Sequence, residues 1–357
     1  MAAALDTVVA SGASDLHISP GAAPSIRVDG RLGAIEGAPR WSAQKVSEAL
    51  LSVLSPERLE IFTSDQELDF AHLHGGERFR ANFYRQRDSM GAVFRLIPSS
   101  IKSLAELGIP SSVGSFAAFP RGLVLVTGPT GSGKSTTIAA LVDEVNRTRE
   151  GHIITVEDPI EFVHEHGRCL VSQREVGRDT QSFAIALRQA LRQDPDVILI
   201  GELRDLETMA VALTAAETGH LVFATLHTKD ASTTIDRMID VFPPHQQAQV
   251  RTQLAATLGG IVSQTLVRKV GGGRAVATEI LVATPAVRNL IREGRSHQIP
   301  SAMQAGRSAG MQTMDQHLAS LVAEQKVTAF VARESAQDVQ NLNQLMRNSS
   351  QLAGRES

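Results

Sequence analysis

The residues from Gly128 to Ser135 read GPTGSGKS, just after the apolar run Leu123–Val126. Glycines at this spacing let successive backbone N–H groups converge on an anion. Lys134 then reaches the outer phosphate oxygens of a nucleoside triphosphate, and the Ser135 hydroxyl is placed to ligate Mg²⁺. The next stretch, 135–147, carries Ile138, Leu141, Val142 and Val145 at helical spacing. The phosphates would therefore also lie at a helix N-terminus, where the backbone dipole favours negative charge. Gly128, Pro129, Thr130, Gly131, Ser132, Gly133, Lys134, Ser135 and Thr136 are the expected nucleotide-binding residues.

Hydrolysis needs acids on neighbouring strands. The run VILI at 197–200 leads into Gly201-Glu202, so Glu202 falls at a strand end, suited to activating water. The residue before it is Gly rather than the usual Asp, which leaves one metal-side acid missing. HIITVEDPIEF at 152–162 offers Glu157, Asp158 and Glu161 at another strand end, able to hold Mg²⁺ through water and to orient the attacking water. Glu161 reads equally well as a residue that only caps local structure.

His220 and His227 bracket the apolar strand LVFAT. Such histidines suit γ-phosphate sensing or contact between subunits, or are simply satisfied structural groups. Arg188 and Arg192 share one face of a helical stretch at 181–193. They form either a solvated stripe or a source of positive charge for phosphoryl transfer, a role for which Arg204, two residues after Glu202, is better placed. Arg80 and Arg95, inside strand-like stretches, read alone as ordinary edge-strand charges.

These residues need a scaffold of alternating strands and helices. From Gly122 onward the runs LVLV, HIITV, CLVS, VILI and LVFATLH alternate with helical stretches. That pattern predicts a three-layer α/β domain with a mainly parallel sheet and its site at the carboxyl strand ends. QTLVRKV and RAVATEILVA around Gly271–Gly273 predict an antiparallel hairpin, and the chain beyond Thr284 reads as mostly helical, with its last dozen residues frayed. Residues 1–100 predict a smaller α+β domain. It has strands at 15–18, 25–28, 67–73, 78–84 and 91–97, a helix capped by Ser42, and a turn at Asp29-Gly30. Residues 101–120, after Pro98-Ser99, are expected to be the linker, and 121–357 the larger domain.

The chain has 357 residues, enough for two cores, with 42% hydrophobic and 20% charged residues. A net charge of −3 and only 4% aromatic residues give no basis for nucleic-acid binding. The lone Cys169 forms no internal disulfide and suits a reducing compartment. No apolar run approaches the ~18 residues that cross a bilayer, and the N-terminus lacks the charged start of a secretory signal. The expectation is a cytoplasmic protein, not inserted in the membrane, so that any membrane role comes through a partner.

Taken together, GPTGSGKS, ITVEDPIEF, LRQDPDVILIGELRD and TGHLVFATLHT resemble the secretion ATPases of the type II/type IV pilus superfamily, from about residue 14 to 322. AVRNLIREGR at 286–295 and GMQTMDQHL at 310–318 resemble its pilus-retraction branch. The start close to the SDLHI strand and the single cysteine also favour that branch over pilus assembly. The resemblance implies a PAS-like N-terminal domain, a RecA-like P-loop ATPase domain and a homohexamer that works with an inner-membrane pilus platform protein. It implies Glu202 as catalytic glutamate, Glu157 and its neighbours as acidic-box residues, His220 and His227 as histidine-box residues, and Arg80, Arg95, Arg188 and Arg204 as an arginine network. The expected function is ATP-driven pilus retraction by domain closure, with the linker as hinge. Pilus assembly, an accessory retraction ATPase, a RecA-like DNA motor and a nucleotide-binding subunit without turnover are the competing readings. Local chemistry at 286–295 predicts an amphipathic helix with Val287, Leu290 and Ile291 inward and Arg288 and Arg292 outward.

Overall fold

The computed structural model describes residues 1–28, 30–97 and 100–353. The Asp29-Gly30 turn therefore falls partly outside the described residues, as do Pro98 and Ser99. The chain forms two compact units, 1–100 and 101–357.

In the first unit the order is α1 (Ala2–Ser11), β1 (Asp15–Ile18), β2 (Ser25–Val28), β3 (Arg31–Ala34), α2 (Ala43–Leu51), α3 (Pro56–Asp65), β4 (Glu67–His74), β5 (Glu77–Gln86) and β6 (Ser89–Ile97). The strands make one antiparallel sheet ordered β3-β2-β1-β6-β5-β4. Helix α2 starts where the Ser42 side chain accepts a hydrogen bond from the Lys45 N–H, and α3 starts at Ser55-Pro56 in the same way. Leu5, Val8, Leu16, Leu50, Phe62, Phe79, Phe83 and Phe94 fill the core between helices and sheet.

The second unit begins with α4 (Ser111–Gly114) and a 3₁₀ turn at Ser115–Ala118. Val113 and Phe116 here are fully buried in the core, against Val124, Val126 and Leu141. The stretch 101–120 is thus not a free linker. Its apolar residues anchor it to the second unit, and the division between units falls at Ser100/Ile101.

Next come β7 (Gly122–Thr127), α5 (Lys134–Thr148), β8 (Gly151–Glu157), β9 (Cys169–Glu175), α6 (Phe183–Ala190), β10 (Val197–Ile200), α7 (Leu206–Glu217), β11 (Leu221–Leu226), α8 (Ala231–Asp240), α9 (Pro244–Thr257), β12 (Leu258–Arg268) and β13 (Arg274–Val282). The sheet order is β13-β12-β7-β11-β10-β8-β9, parallel except for the β12–β13 hairpin. Side chains alternate across β7. Leu123 and Leu125 enter one core with α6 and α7, while Val124 and Val126 enter the other with α5. Helices cover both faces, giving the three-layer α/β arrangement.

The chain ends in α10 (Pro285–Arg292), α11 (Ile299–Ala305), α12 (Met314–Ala323), α13 (Ala329–Ser335) and α14 (Val339–Ala353). Helix α14 runs to Ala353, with Leu342 buried against Leu318 and Leu321 of α12, so the described part of the stretch expected to fray is helical, and residues 354–357 lie outside the described residues. No helix among the described residues is long and apolar enough to cross a membrane.

Candidate active site

Three adjacent parallel strands deliver the chemistry to one edge of the sheet. β7 runs into the phosphate loop, β11 into His227, and β10 into Gly201-Glu202. The loop itself requires glycine. Gly128 and Gly133 have φ of 142° and 87°, and a Cβ on Gly128 would stand 2.3 Å from the Gln264 carbonyl oxygen. Helix α5 begins at Gly133 with no side-chain cap and no acid in its first turn, so its leading N–H groups face an anion without competition.

Lys134 is buried, and its Nζ donates to the carbonyls of Gly128 (2.9 Å) and Pro129 (3.1 Å). Burial lowers its pKa, against the opposing pull of the Glu202 and Glu161 charges. Ser135 and Thr136, the next residues of α5, are half-buried.

Glu202 lies 2.7 Å from Arg204 Nη2 and 3.3 Å from His227 Nε2. Burial works to raise its pKa, but the Arg204 hydrogen bond and the His227 charge outweigh it, so the carboxyl sits below its ordinary range. On its other side, His227 Nδ1 is 3.5 Å from Thr130 Oγ1 of the phosphate loop. The Thr225 hydroxyl donates to the Gly201 carbonyl and fixes the turn that presents Glu202.

The glycine before Glu202 sits where space is tight. A Cβ on Gly201 would stand 3.2 Å from Glu157 Cα, because β8 and β10 run side by side there. Glu157 thus occupies the ground beside the expected acid. Its carboxylate accepts from Thr155 Oγ1 (2.6 Å) and Gln173 Nε2 (3.1 Å), and burial pushes its pKa up to about 7. Asp158 and Glu161 are exposed in the loop that follows.

Other expected residues lie apart from this edge. His220 precedes β11 while His227 follows it, a strand-length of roughly 20 Å away. Its Nδ1 lies 3.0 Å from the Ala215 carbonyl oxygen, at the end of β11 away from the phosphate loop. Arg188 of α6 forms an ion pair with Glu207 of α7. In the first unit, Arg80 and Arg95 face each other across β5 and β6, with Arg80 bound to Asp69 (2.6 Å) and Arg95 to Asp15 (2.8 Å).

Arg288 was expected to point outward. Instead it turns back to donate to the carbonyls of Ala283 (2.9 Å), Ala255 (2.7 Å) and Ala256 (2.6 Å), because the end of α9 leaves its last carbonyls without helical partners. Val287 and Ile291 are buried as expected. Local sequence reasoning also missed Gln264, which holds the phosphate loop. The polar run Ser263-Gln264-Thr265 inside a largely apolar strand was its available signal.

Residues 91–354 match the family described as Type II/IV secretion system protein. The chain is 52% identical to the type IV pilus retraction ATPase PilT of Pseudomonas aeruginosa, over 92% of this chain and 96% of that protein. It is 49% identical to a twitching motility protein of Neisseria gonorrhoeae, over 90% of this chain and 86% of that protein. Among solved structures, the crystal structure of the pilus retraction motor PilT with bound ADP is similar at a TM-score of 0.89 and 47% identity. It covers 95% of this chain and 98% of that one.

Proposed function

We propose, from the premise that this chain belongs to the type II/IV secretion system protein family, that it is an ATP-hydrolysing motor that powers retraction of a type IV pilus. One observation carries the reading. The phosphate loop, His227 and Glu202 are delivered by three neighbouring parallel strands to the same sheet edge. Likeness in sequence and fold to a retraction ATPase over nearly the whole of both chains supports retraction in particular.

In this mechanism the triphosphate lies on the N–H groups of the loop and of the start of α5. Lys134 exchanges the Gly128 and Pro129 carbonyls for phosphate oxygens. Glu202, kept ionised by Arg204 and His227, accepts the proton of the attacking water. His227 touches both Glu202 and Thr130, so it links the state of the loop to the base.

The donor set suits Mg²⁺, a hard cation that prefers oxygen. Ser135 and Glu202 would hold it, with Glu157 and Asp158 acting through water. When bound, Mg²⁺ neutralises charge developing on the phosphate oxygens.

Arg80, Arg95, Arg188 and Arg204 would form the cationic surround of the phosphates within a homohexameric ring. Arg80 and Arg95 face each other across β5 and β6 but are paired with Asp69 and Asp15, so in this role each would exchange a carboxylate for a phosphate. His220 would serve contacts between subunits. Nucleotide-driven closure of the two units would pass the stroke to a pilus platform protein at the inner membrane.

Deletion of the gene tests the reading. Retraction predicts cells with more surface pili and no twitching, whereas loss of all pili would make this an assembly motor.

A further inference from the structure

Gln264 lies on β12, the strand on the far side of β7 from His227 and Glu202, and none of the chemistry above uses it. It is 2% exposed. Its Nε2 donates to the Ser132 carbonyl in the middle of the phosphate loop at 2.7 Å, across 132 residues of sequence. Its own backbone carbonyl lies against Gly128, at the distance that forbids a Cβ there. The amide also stands over Gly133, where a Cβ would be 3.2 Å from Nε2. The preceding residue, Ser263, pairs its hydroxyl with Thr127 Oγ1 at 2.8 Å, one residue before the loop. Two consecutive polar side chains of a buried strand therefore grip the loop at its entry and at its crown.

The effect follows from peptide geometry. In a trans peptide the C=O and the next N–H point in opposite directions. With the Ser132 carbonyl held toward β12, the Gly133 N–H is directed to the other side, where the N-terminus of α5 opens. Without that hold, rotation of the 132–133 peptide would present a carbonyl oxygen to the phosphates and remove a donor.

We infer that Gln264 is a positioning residue for nucleotide binding, which fixes the Ser132–Gly133 peptide with its N–H turned toward the phosphates. This rests on the reading of the loop as a nucleotide site. The hold is made through a side-chain amide donor, so a residue of equal length without that donor fills the space and loses the function. The Gln264 Oε1 atom has no partner among the described residues. It is the amide's donor, not its acceptor, that the site employs.

The test is ADP affinity, measured by calorimetry on the full-length chain for wild type, Gln264→Met, Gln264→Leu and Lys134→Ala, each with a melting curve in the absence of nucleotide. Removing one buried donor while leaving its acceptor in place predicts ADP binding weaker by about 5- to 30-fold in both Gln264 variants. KM for ATP should rise by more than kcat falls, and amide exchange across 128–136 should speed up in the free protein. Should Gln264→Met fail to fold, Gln264→Leu, which is smaller and also has no donor, carries the test. A folded Gln264 variant that binds ADP within twofold of wild type overturns the inference while leaving the site intact. Wild type that binds ADP no better than Lys134→Ala overturns the nucleotide reading itself, and this inference with it.

Discussion

His227 Nε2 stands 3.3 Å from Glu202 Oε1, on the side of the carboxylate opposite to the Arg204 contact. The carboxylate is thus held between two cationic or donor groups, one of which also reaches the phosphate loop through Thr130.

This arrangement sets the pH response of turnover. Burial alone would raise the Glu202 pKa, and the Arg204 hydrogen bond and the charges of His227 and Arg204 reverse it. Arg204→Ala removes the strongest of the opposing contacts, so the acidic limb of the kcat profile should move to higher pH. A kcat–pH series on the two proteins checks this, and superimposable acidic limbs would contradict it.

Glu279 gives a second pH signature, in stability. It lies on β13 with its carboxylate accepting the Ala231 N–H at the start of α8 (2.7 Å), and burial pushes its pKa to about 7 from an ordinary 4.5. A raised folded pKa favours the protonated form. Its stabilisation is therefore complete below pH 4.5 and lost as pH rises through about 7, a loss that reaches about 3 kcal/mol. Glu279→Gln should cancel this loss, so wild type should fall behind the variant in urea melts as pH rises from about 4.5 to about 7. Parallel curves would refute the assignment.

Arg288 closes the end of α9 through the carbonyls of Ala255 and Ala256 and also donates to that of Ala283, just after β13. Arg288→Ala leaves those carbonyls unpaired and should destabilise the second unit by about 1–3 kcal/mol. ADP affinity should be unchanged, because the contacts lie at the sheet edge opposite the phosphate loop. Denaturant unfolding and calorimetry on the same preparation separate the two effects.

What was legible in the sequence depended on range. The phosphate loop, the apolar strand runs and the Ser42 cap are local patterns, and each appears at its expected place. Helix α1 has apolar residues on most sides and gives little periodicity. Helix α3 carried a readable Ser55-Pro56 start that periodicity alone passed over. Contacts between distant segments leave no local trace. Gln264 reaches Ser132, and Arg288 bends back to α9, only because the sheet order and the α9–α10 packing bring them there. Gly201 looked like a missing acid, and its crowding by β8 is visible only in the structure. The stretch 101–120 looked like a linker from its Pro and Gly content, but Phe116 and Val113 bury it.

The account stands or falls on Glu202 as the base of ATP hydrolysis. Phosphate release measured for wild type and Glu202→Gln at saturating ATP and Mg²⁺ is the direct test. The account predicts turnover by wild type, and a rate at least roughly 100-fold lower in the variant with ATP still bound. Equal rates of phosphate release from the two proteins would contradict it.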